Sequence, residues 1–389
     1  MFHRSGVLLA VFLCVGAAFA QAREVRVGIL RDLGTREVVV MTAGGAMSIV
    51  VDGQRSGELG TNDGLRIQWT KDGLQARSLT KQVTAKRTLV LRASGGGGYR
   101  MKATDRTMAE RTYPGSLEVQ RTNDGLLLVA IAPLEDYVAG VVLSEAGKDQ
   151  APEYYKLQAV SCRTYALANQ RRHLADGFEV CDRTHCQVFN GRNTNEAIKQ
   201  AVTATKDLVV VDANIRLIHA TFHSNCGGET MNAEDLWSKS EPYLVSTLDT
   251  FCLHAPHATW HRVLPKAQWL DYLRRTYKVD TSDPLVVQAV TEHVPTCREV
   301  VLGSVTPPIS LEQVRADQKF NSAFFTIHTS GDQVLFDGRG FGHGIGMCQE
   351  GAMGMANAGL PFTEILHHYF ADVHLVDLNA MDFFRDERH

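Results

Sequence analysis

The hydrophobic period of this chain changes once, sharply, at Pro133. Before it, short β-branched runs at 25–29, 38–40, 48–51 and 88–91 alternate with glycine-rich turns, the pattern of paired strands. The string Thr-Asn-Asp-Gly-Leu, at 61–65 and 122–126, adds a hairpin signal, because Asp-Gly suits turns whose residues take positive φ. After Pro133, Leu134, Tyr137, Val138, Val141 and Val142 recur at helical spacing, with Gly147 as the stop. Further helices are expected at 152–173, 194–204, 349–358 and 362–370, and strands at 208–211, 217–222, 324–328 and 334–336. Mixed order of this kind predicts an α+β fold. It would comprise a β-rich region over 23–132 and a mixed domain over 133–375. The latter divides into 133–230, a less regular insertion over 231–310, and 311–375.

At 389 residues the chain exceeds one ordinary core, in keeping with two or more domains. Residues 1–20 have the form of a removable secretory signal: Arg4, an apolar stretch over 7–15, then Ala18-Phe19-Ala20. That stretch is too short to span a bilayer, and Leu13 before Cys14 is too large for a lipoprotein signal. No later stretch reads as a transmembrane segment, so an exported protein of the periplasm or cell envelope is expected. A net charge of −3 without blocks of like charge argues against a nucleic-acid partner and leaves a sugar substrate open. Of eight cysteines, loss of Cys14 with the leader would leave seven, in a compartment that permits disulfides.

Three groups of residues invite chemistry. Glu145 falls four residues after Val141 and seven after Val138, on the apolar stripe of the first helix. A carboxyl group there would lose hydration, hold its proton to higher pH and qualify as a general acid. The alternative is a Glu at a fraying helix end, bent towards water beside Gly147. Glu135 and Asp136, in the first turn, instead complement the helix dipole.

Cys181-Asp-Arg-Thr-His185-Cys186 brings two thiols and an imidazole within six residues, a donor set zinc accepts. A fourth ligand would come from elsewhere, with His173 nearest in sequence and His219 and His223 further away. A Cys181–Cys186 disulfide is the competing reading.

Gly338, Gly340, Gly342, Gly344 and Gly346 recur at every second residue. In an extended chain they would share one bare face, inviting close approach of backbone or ligand. The spacing is not a dinucleotide fingerprint. His343 stands among them as a substrate contact, a proton carrier or a satisfied core histidine. Ser224-Asn225-Cys226-Gly227-Gly228 is a second polar turn that could face the same site.

Taken in order, these segments resemble one family. Pro133-Leu134-Glu135-Asp136-Tyr137-Val138 with Val141-Val142-Leu143-Ser144-Glu145 is similar to the opening of the SpoIID/LytB domain of peptidoglycan-processing proteins. Ala159-Val160-Ser161-Cys162-Arg163-Thr164-Tyr165-Ala166, the Cys loop at 181–188, the turn at 224–228 and the run Gly338 to Ala352 follow as in that family. The resemblance covers roughly 130–375, with the β region fitting more loosely.

It implies action on peptidoglycan glycan strands, especially strands stripped of stem peptides. Enzymatic members are lytic transglycosylases that break the N-acetylmuramic acid–N-acetylglucosamine bond and leave a 1,6-anhydro end, and the family's catalytic acid matches Glu145. Arg163, Tyr165, Ser224, Asn225, Gly340, Gly342, His343, Gly344 and Gln349 become expected substrate contacts. Cys181, His185, Cys186 and His173 become the expected zinc ligands, in a site-ordering role. Two departures stand out: Ala-Gly follows Glu145 where a Met-Pro type pair is common, and Cys226 and Cys348 occupy positions where Ser is frequent. The latter allows a disulfide between the two polar loops, with Cys252 and Cys297 as other partners. A non-catalytic glycan-binding module that stimulates a cell-wall amidase is the alternative function, and a zinc hydrolase with a water ligand a third.

Overall fold

The structure, a computed structural model, describes residues 23–381 apart from Ser238, so the leader expected over 1–20 lies outside the described residues. It is α+β, as the change of period at Pro133 predicts. Two antiparallel sheets of the N-terminal region pack face to face. One holds six strands and runs Arg111–Pro114, Gly98–Ala103, Glu37–Ala43, Gly64–Thr70, Gly73–Arg77, Gln82–Ala85. The other orders Glu24–Ile29, Leu126–Pro133, Ser116–Arg121, Thr88–Ala93, Met47–Val51 and Gln54–Leu59. Alternation puts Val38, Val40, Ile67 and Met101 of one sheet against Ile49, Leu89, Leu91 and Val119 of the other, all buried. The two Thr-Asn-Asp-Gly-Leu strings do different work. The second closes a hairpin, whereas the first crosses between the sheets and places Asn62 at φ 68°.

A seventh strand joins this second sheet from far along the chain. Val180–Cys181 lies parallel to Glu24–Ile29, with Val27 opposite Val180 and Gly28 opposite Cys181. The sandwich therefore reaches directly into the Cys loop.

Strand Leu126–Pro133 runs without a break into α1 (Leu134–Ala146), which stops at Gly147 with φ 70°. α2 (Pro152–Ala168) ends earlier than the expected 173. Asn169 caps it, and the chain turns so that His173 meets the Cys loop. α3 (Glu196–Ala204) starts one or two residues later than expected, on the side chain of Asn195. The strand expected over 217–222 is mostly absent: Leu217 makes one bridge to Val211, and pairing resumes only at Phe222–His223. After the short α4 (Ala233–Leu236) comes the expected irregular stretch, which is in fact ordered. Strand Thr259–Pro265, α5 (Lys266–Tyr277), α6 (Pro284–Thr291) and α7 (Leu311–Gln318) enclose a core of their own with strands Phe325–Ser330 and Gln333–Arg339. Trp269, Phe320, Phe325 and Phe336 form its centre. Aromatic residues spread over short elements show little periodicity, which is why the stretch reads as irregular. α8 (Gln349–Asn357) and α9 (Phe362–Tyr369) close the chain onto α2.

The glycine comb departs from expectation in a way that matters for the site. Its strand ends at Arg339, and Gly340, Gly342, Gly344 and Gly346 take φ of 80°, 116°, 84° and 71°. The segment is a curled ribbon and not a flat glycine face. Its curl lets Phe341 and Asn225 exchange both backbone hydrogen bonds (3.0 and 2.8 Å), while Phe222–His223 pairs in parallel with Met347–Cys348.

A Cβ on Gly340 would lie 2.6 Å from the Asn225 carbonyl oxygen, whereas Gly359, at φ 90°, faces open space. Left-handed backbone alone costs an alanine about 1–2 kcal/mol. Gly359→Ala should lose about that much in chemical denaturation, and Gly340→Ala clearly more. Equal losses would show that the close approach at Gly340 is unimportant.

Candidate functional site

Glu145 and the glycine run meet in one cleft of about 750 Å³. α1 contributes Glu145, α2 Tyr165, the Cys loop His185 and Cys186, and the polar turn His223 and Ser224. The ribbon adds Phe341, Gly342 and His343, and α8 adds Gln349. A second cavity of about 540 Å³ adjoins it and shares Glu145, Ser224 and Gln349. Glu145 thus stands at the join of two cavities.

Its carboxylate is half-buried on the penultimate position of α1 and accepts a hydrogen bond from the Val188 N–H (2.7 Å). Burial raises its pKa, and the Val188 bond only partly opposes this. No basic side chain pairs with it among the described residues. The other carboxylates nearby are engaged: Glu241 with Lys239 (2.6 Å), and Glu350 with His257 (2.7 Å) and Asn225 (2.7 Å). Burial works to raise Glu241 as well, but the hydrogen bonds from Lys239 and Tyr243 outweigh it and hold that group low.

His343 is a satisfied histidine. Its Nδ1 accepts from the Ile345 N–H (3.1 Å), so its Nε2 carries the proton and donates to the Phe222 carbonyl (3.1 Å). Burial, with Arg315 and Arg298 nearby, pushes its pKa down to about 4. The neutral ring fixes the ribbon to the strand at Phe222 while showing one face to the cleft.

Arg163, an expected substrate contact, is fully buried away from the cleft. Its guanidinium makes a two-pronged bond to Glu135 and donates to the Leu208 carbonyl (3.0 Å). It locks α1 to α2, and removing it would leave Glu135 without its partner. Asn225, Gly340 and Gly344 also lie behind the wall. Asn225 is fully buried and donates to the Cys252 carbonyl (3.0 Å) and to Glu350.

His173, Cys181, His185 and Cys186 do come together, with ligand atoms all within 4.8 Å of one another. His185 Nδ1 lies 3.3 Å from His173 Nε2, 3.8 Å from Cys181 Sγ and 3.7 Å from Cys186 Sγ. Both cysteines are free thiols, so the competing disulfide does not form. Asp176 accepts from His173 Nδ1 (2.8 Å), leaving Nε2 to face the cluster. A carboxylate behind a histidine in this way orients metal ligands. Of the other candidates, His219 lies across the cleft and His223 is buried in the polar turn.

Sequence reasoning missed Trp237, Arg172, Lys239, Glu241 and Arg315, all of which line the cleft. Apart from Arg315 on α7 they sit on irregular segments, where no period marks a residue. The available signal was an isolated large aromatic and several basic residues on loops.

Residues 122–211, from the hairpin that feeds α1 to the strand beyond α3, match the family model of SpoIID, Stage II sporulation protein. An uncharacterized protein of Brachyspira hyodysenteriae is 30% identical over 275 residues, covering 69% of this chain and 74% of its own length. Stage II sporulation protein D of Bacillus subtilis is 29% identical over 286 residues, covering 69% of this chain and 81% of that protein. The amidase enhancer of Bacillus subtilis is 28% identical over 284 residues, 59% of this chain but 39% of the longer relative. Glu145 and the Cys–His cluster both fall inside the matched segment, and the chain belongs to the SpoIID family.

Proposed function

We propose that this protein is an exported lytic transglycosylase that cleaves N-acetylmuramic acid–N-acetylglucosamine bonds of peptidoglycan glycan strands. The observation that carries the reading is a half-buried carboxyl group with no basic partner among the described residues, Glu145, at the join of two cavities. Sugars on both sides of a scissile bond would occupy the two cavities. Glu145, kept protonated by burial, would give its proton to the glycosidic oxygen as the C1–O bond breaks. The resulting carboxylate would then take the proton of the muramic C6 hydroxyl as that oxygen closes on C1. A 1,6-anhydro end forms, Glu145 regains its proton, and no water is consumed. No second carboxylate nucleophile is needed, in contrast to a retaining glycosidase. Among the described residues no helix is long and apolar enough to cross a membrane.

Cationic side chains favour strands without stem peptides. Such strands expose a lactyl carboxylate on every muramic residue, and Arg172 lines the cleft without a carboxylate partner among the described residues, while Lys239 is paired with Glu241 and Arg315 with Glu312. The Cys–His cluster fits zinc, since two thiolates and two imidazoles fill a tetrahedral set. Bound there, zinc would supply a brace for the loop that presents the Val188 N–H. Four protein donors leave no position for a reactive water, which sets the hydrolase reading aside. The likeness to the amidase enhancer supports a second reading, in which the same cleft holds a strand for an amidase without cutting it.

Digestion of peptide-free strands followed by mass spectrometry should give anhydro ends with the native chain and none with Glu145→Gln. Anhydro products from Glu145→Gln would sink the mechanism. Binding without product by the native chain, with amidase stimulation kept in Glu145→Gln, would select the enhancer reading.

Because burial disfavours the charged form of Glu145, its acid form persists above the ordinary carboxylate range. The first step needs that acid form, so kcat/KM should fall as pH rises through the raised pKa. A descending limb already complete at ordinary carboxylate pH would contradict the role given to burial.

Asp176→Asn should weaken zinc binding about 10–100-fold, measured by competition with a chromophoric chelator. Unchanged affinity would mean that the Asp176 carboxylate does not support the site through His173.

A further inference from the structure

A second group of metal-type donors lies outside the Cys–His cluster. Cys226, Asp249, Cys252 and Cys348 are each fully buried, and their ligand atoms all lie within 4.8 Å of one another. Cys226 Sγ is 3.4 Å from Cys252 Sγ and 3.4 Å from Asp249 Oδ2. With metal–sulfur bonds of about 2.3 Å and metal–oxygen bonds of about 2.0–2.2 Å, the edges of a tetrahedral site span roughly 3.5–3.8 Å. The observed spacings lie close to that range. All three cysteines are free thiols.

Their surroundings resemble the support given to bound metals. Cys348 heads α8, and its sulfur accepts the Gly351 N–H (3.3 Å) and the Cys226 N–H (3.2 Å). Asp249 is held at both oxygens, Oδ1 by the Phe251 N–H (2.9 Å) and Oδ2 by the Tyr369 hydroxyl (2.9 Å). Gly351 leaves the space that Oδ2 and that hydroxyl occupy, since a Cβ there would overlap both. A fully buried carboxylate ordinarily sits opposite a cation, and no basic side chain pairs with Asp249 among the described residues. Arg298 approaches the same turn, its guanidinium bound to the Cys226 carbonyl (2.6 Å) and the Glu229 carbonyl (2.7 Å). Three thiolates and a carboxylate carry four negative charges, of which a dication would cancel two, leaving Arg298 to offset part of the rest.

We propose that Cys226, Cys252, Cys348 and Asp249 form a second, closed site for a thiophilic divalent cation of the zinc type. It would tie together three segments that have no continuous secondary structure in common. These are the polar turn with Ser224, the loop at 249–252 and the start of α8 with Gln349. Each supplies residues to the two cavities that meet at Glu145. The ion would set the wall opposite the Cys–His cluster, and all four positions around it are taken by protein, so its role is structural. The inference concerns metal content and does not depend on the reaction proposed above.

The test is metal analysis of the full chain, purified from zinc-supplemented cells and passed through a desalting column. A Cys181→Ala/Cys186→Ala variant, which lacks the first cluster, should still hold one equivalent of zinc. Replacing that zinc with cobalt(II) should give an intense thiolate-to-cobalt absorption in the near ultraviolet. Adding Cys252→Ala to that variant should remove both the metal and the band. Asp249→Asn, the gentler change, should lower zinc affinity at least tenfold in a chelator competition while circular dichroism stays native. The proposal is overturned if the folded Cys181→Ala/Cys186→Ala protein holds no metal. It is equally overturned if non-reducing peptide mapping of the native chain finds two of the three thiols joined as a disulfide. A native chain that holds a single equivalent, retained in full by the Cys181→Ala/Cys186→Ala variant, would count against the Cys–His assignment and support this one.

Discussion

The backbone pairing between residues 222–225 and 341–348 holds the site together. Phe222–His223 against Met347–Cys348, and the reciprocal bonds between Asn225 and Phe341, join segments more than a hundred positions apart. Buried backbone groups must find partners, and these two short segments supply many of each other's, with the Gly342 N–H going instead to the Asn321 carbonyl and the Gly344 carbonyl to the Met231 N–H. The pairing needs the ribbon to turn at every second residue, which L side chains resist and glycine does not. His343 then closes the seam from the side, one ring nitrogen to each segment. The glycine comb is thus the requirement of a fold-back, with the cleft floor as its consequence.

The cleft that results has an uneven electrostatic character. Glu241 and Glu350 are compensated by neighbours, whereas at Glu145 burial is opposed only by the Val188 N–H, with no basic partner among the described residues. Its position near the C-terminal end of α1 adds to the effect, because carbonyl groups point their negative ends that way. Positive side chains gather further along the cleft, at Arg172, Lys239 and Arg315, and not against Glu145. The carboxyl group whose pKa burial raises is thus kept apart from the cations that would lower it.

How much of this is legible in the sequence varies with the physics behind each feature. The helix carrying Glu145 is legible because its buried face repeats with period 3.6 and ends at a glycine. The cluster of His173 with the Cys loop is legible because its members lie within a few turns of one another. Arg163 misleads, since a family motif marks the position without saying which way the side chain points, and it points to Glu135. The compact unit around Trp269 is illegible for another reason. Its core draws single aromatic residues from strands and helices scattered over 259–339, so no window of sequence shows a period. Trp237 and Lys239 escape for the same cause, as loop residues fixed by what surrounds them. Asn225 is expected as a substrate contact from the family motif, whereas full burial commits its amide to Glu350 and to a backbone carbonyl.

The N-terminal sandwich lines neither cavity, but it is tied to the loop that does. Its edge strand Glu24–Ile29 receives Val180–Cys181 in parallel, and the Leu30 N–H donates to Asp182 (3.0 Å) inside the Cys loop. Arg26 takes hold of Glu179 through its backbone N–H (3.0 Å) just before that strand. On the other side, Arg315 enters the cleft from α7, in the unit built around Trp269. Glu145 receives its one hydrogen bond from Val188, in the loop that follows the Cys cluster, so the sandwich fixes the carboxyl group at one remove. A loop pinned by a sheet edge cannot drift far without breaking buried hydrogen bonds. That coupling explains why a region with no catalytic residue of its own packs into the same hydrophobic core as α1 and α2.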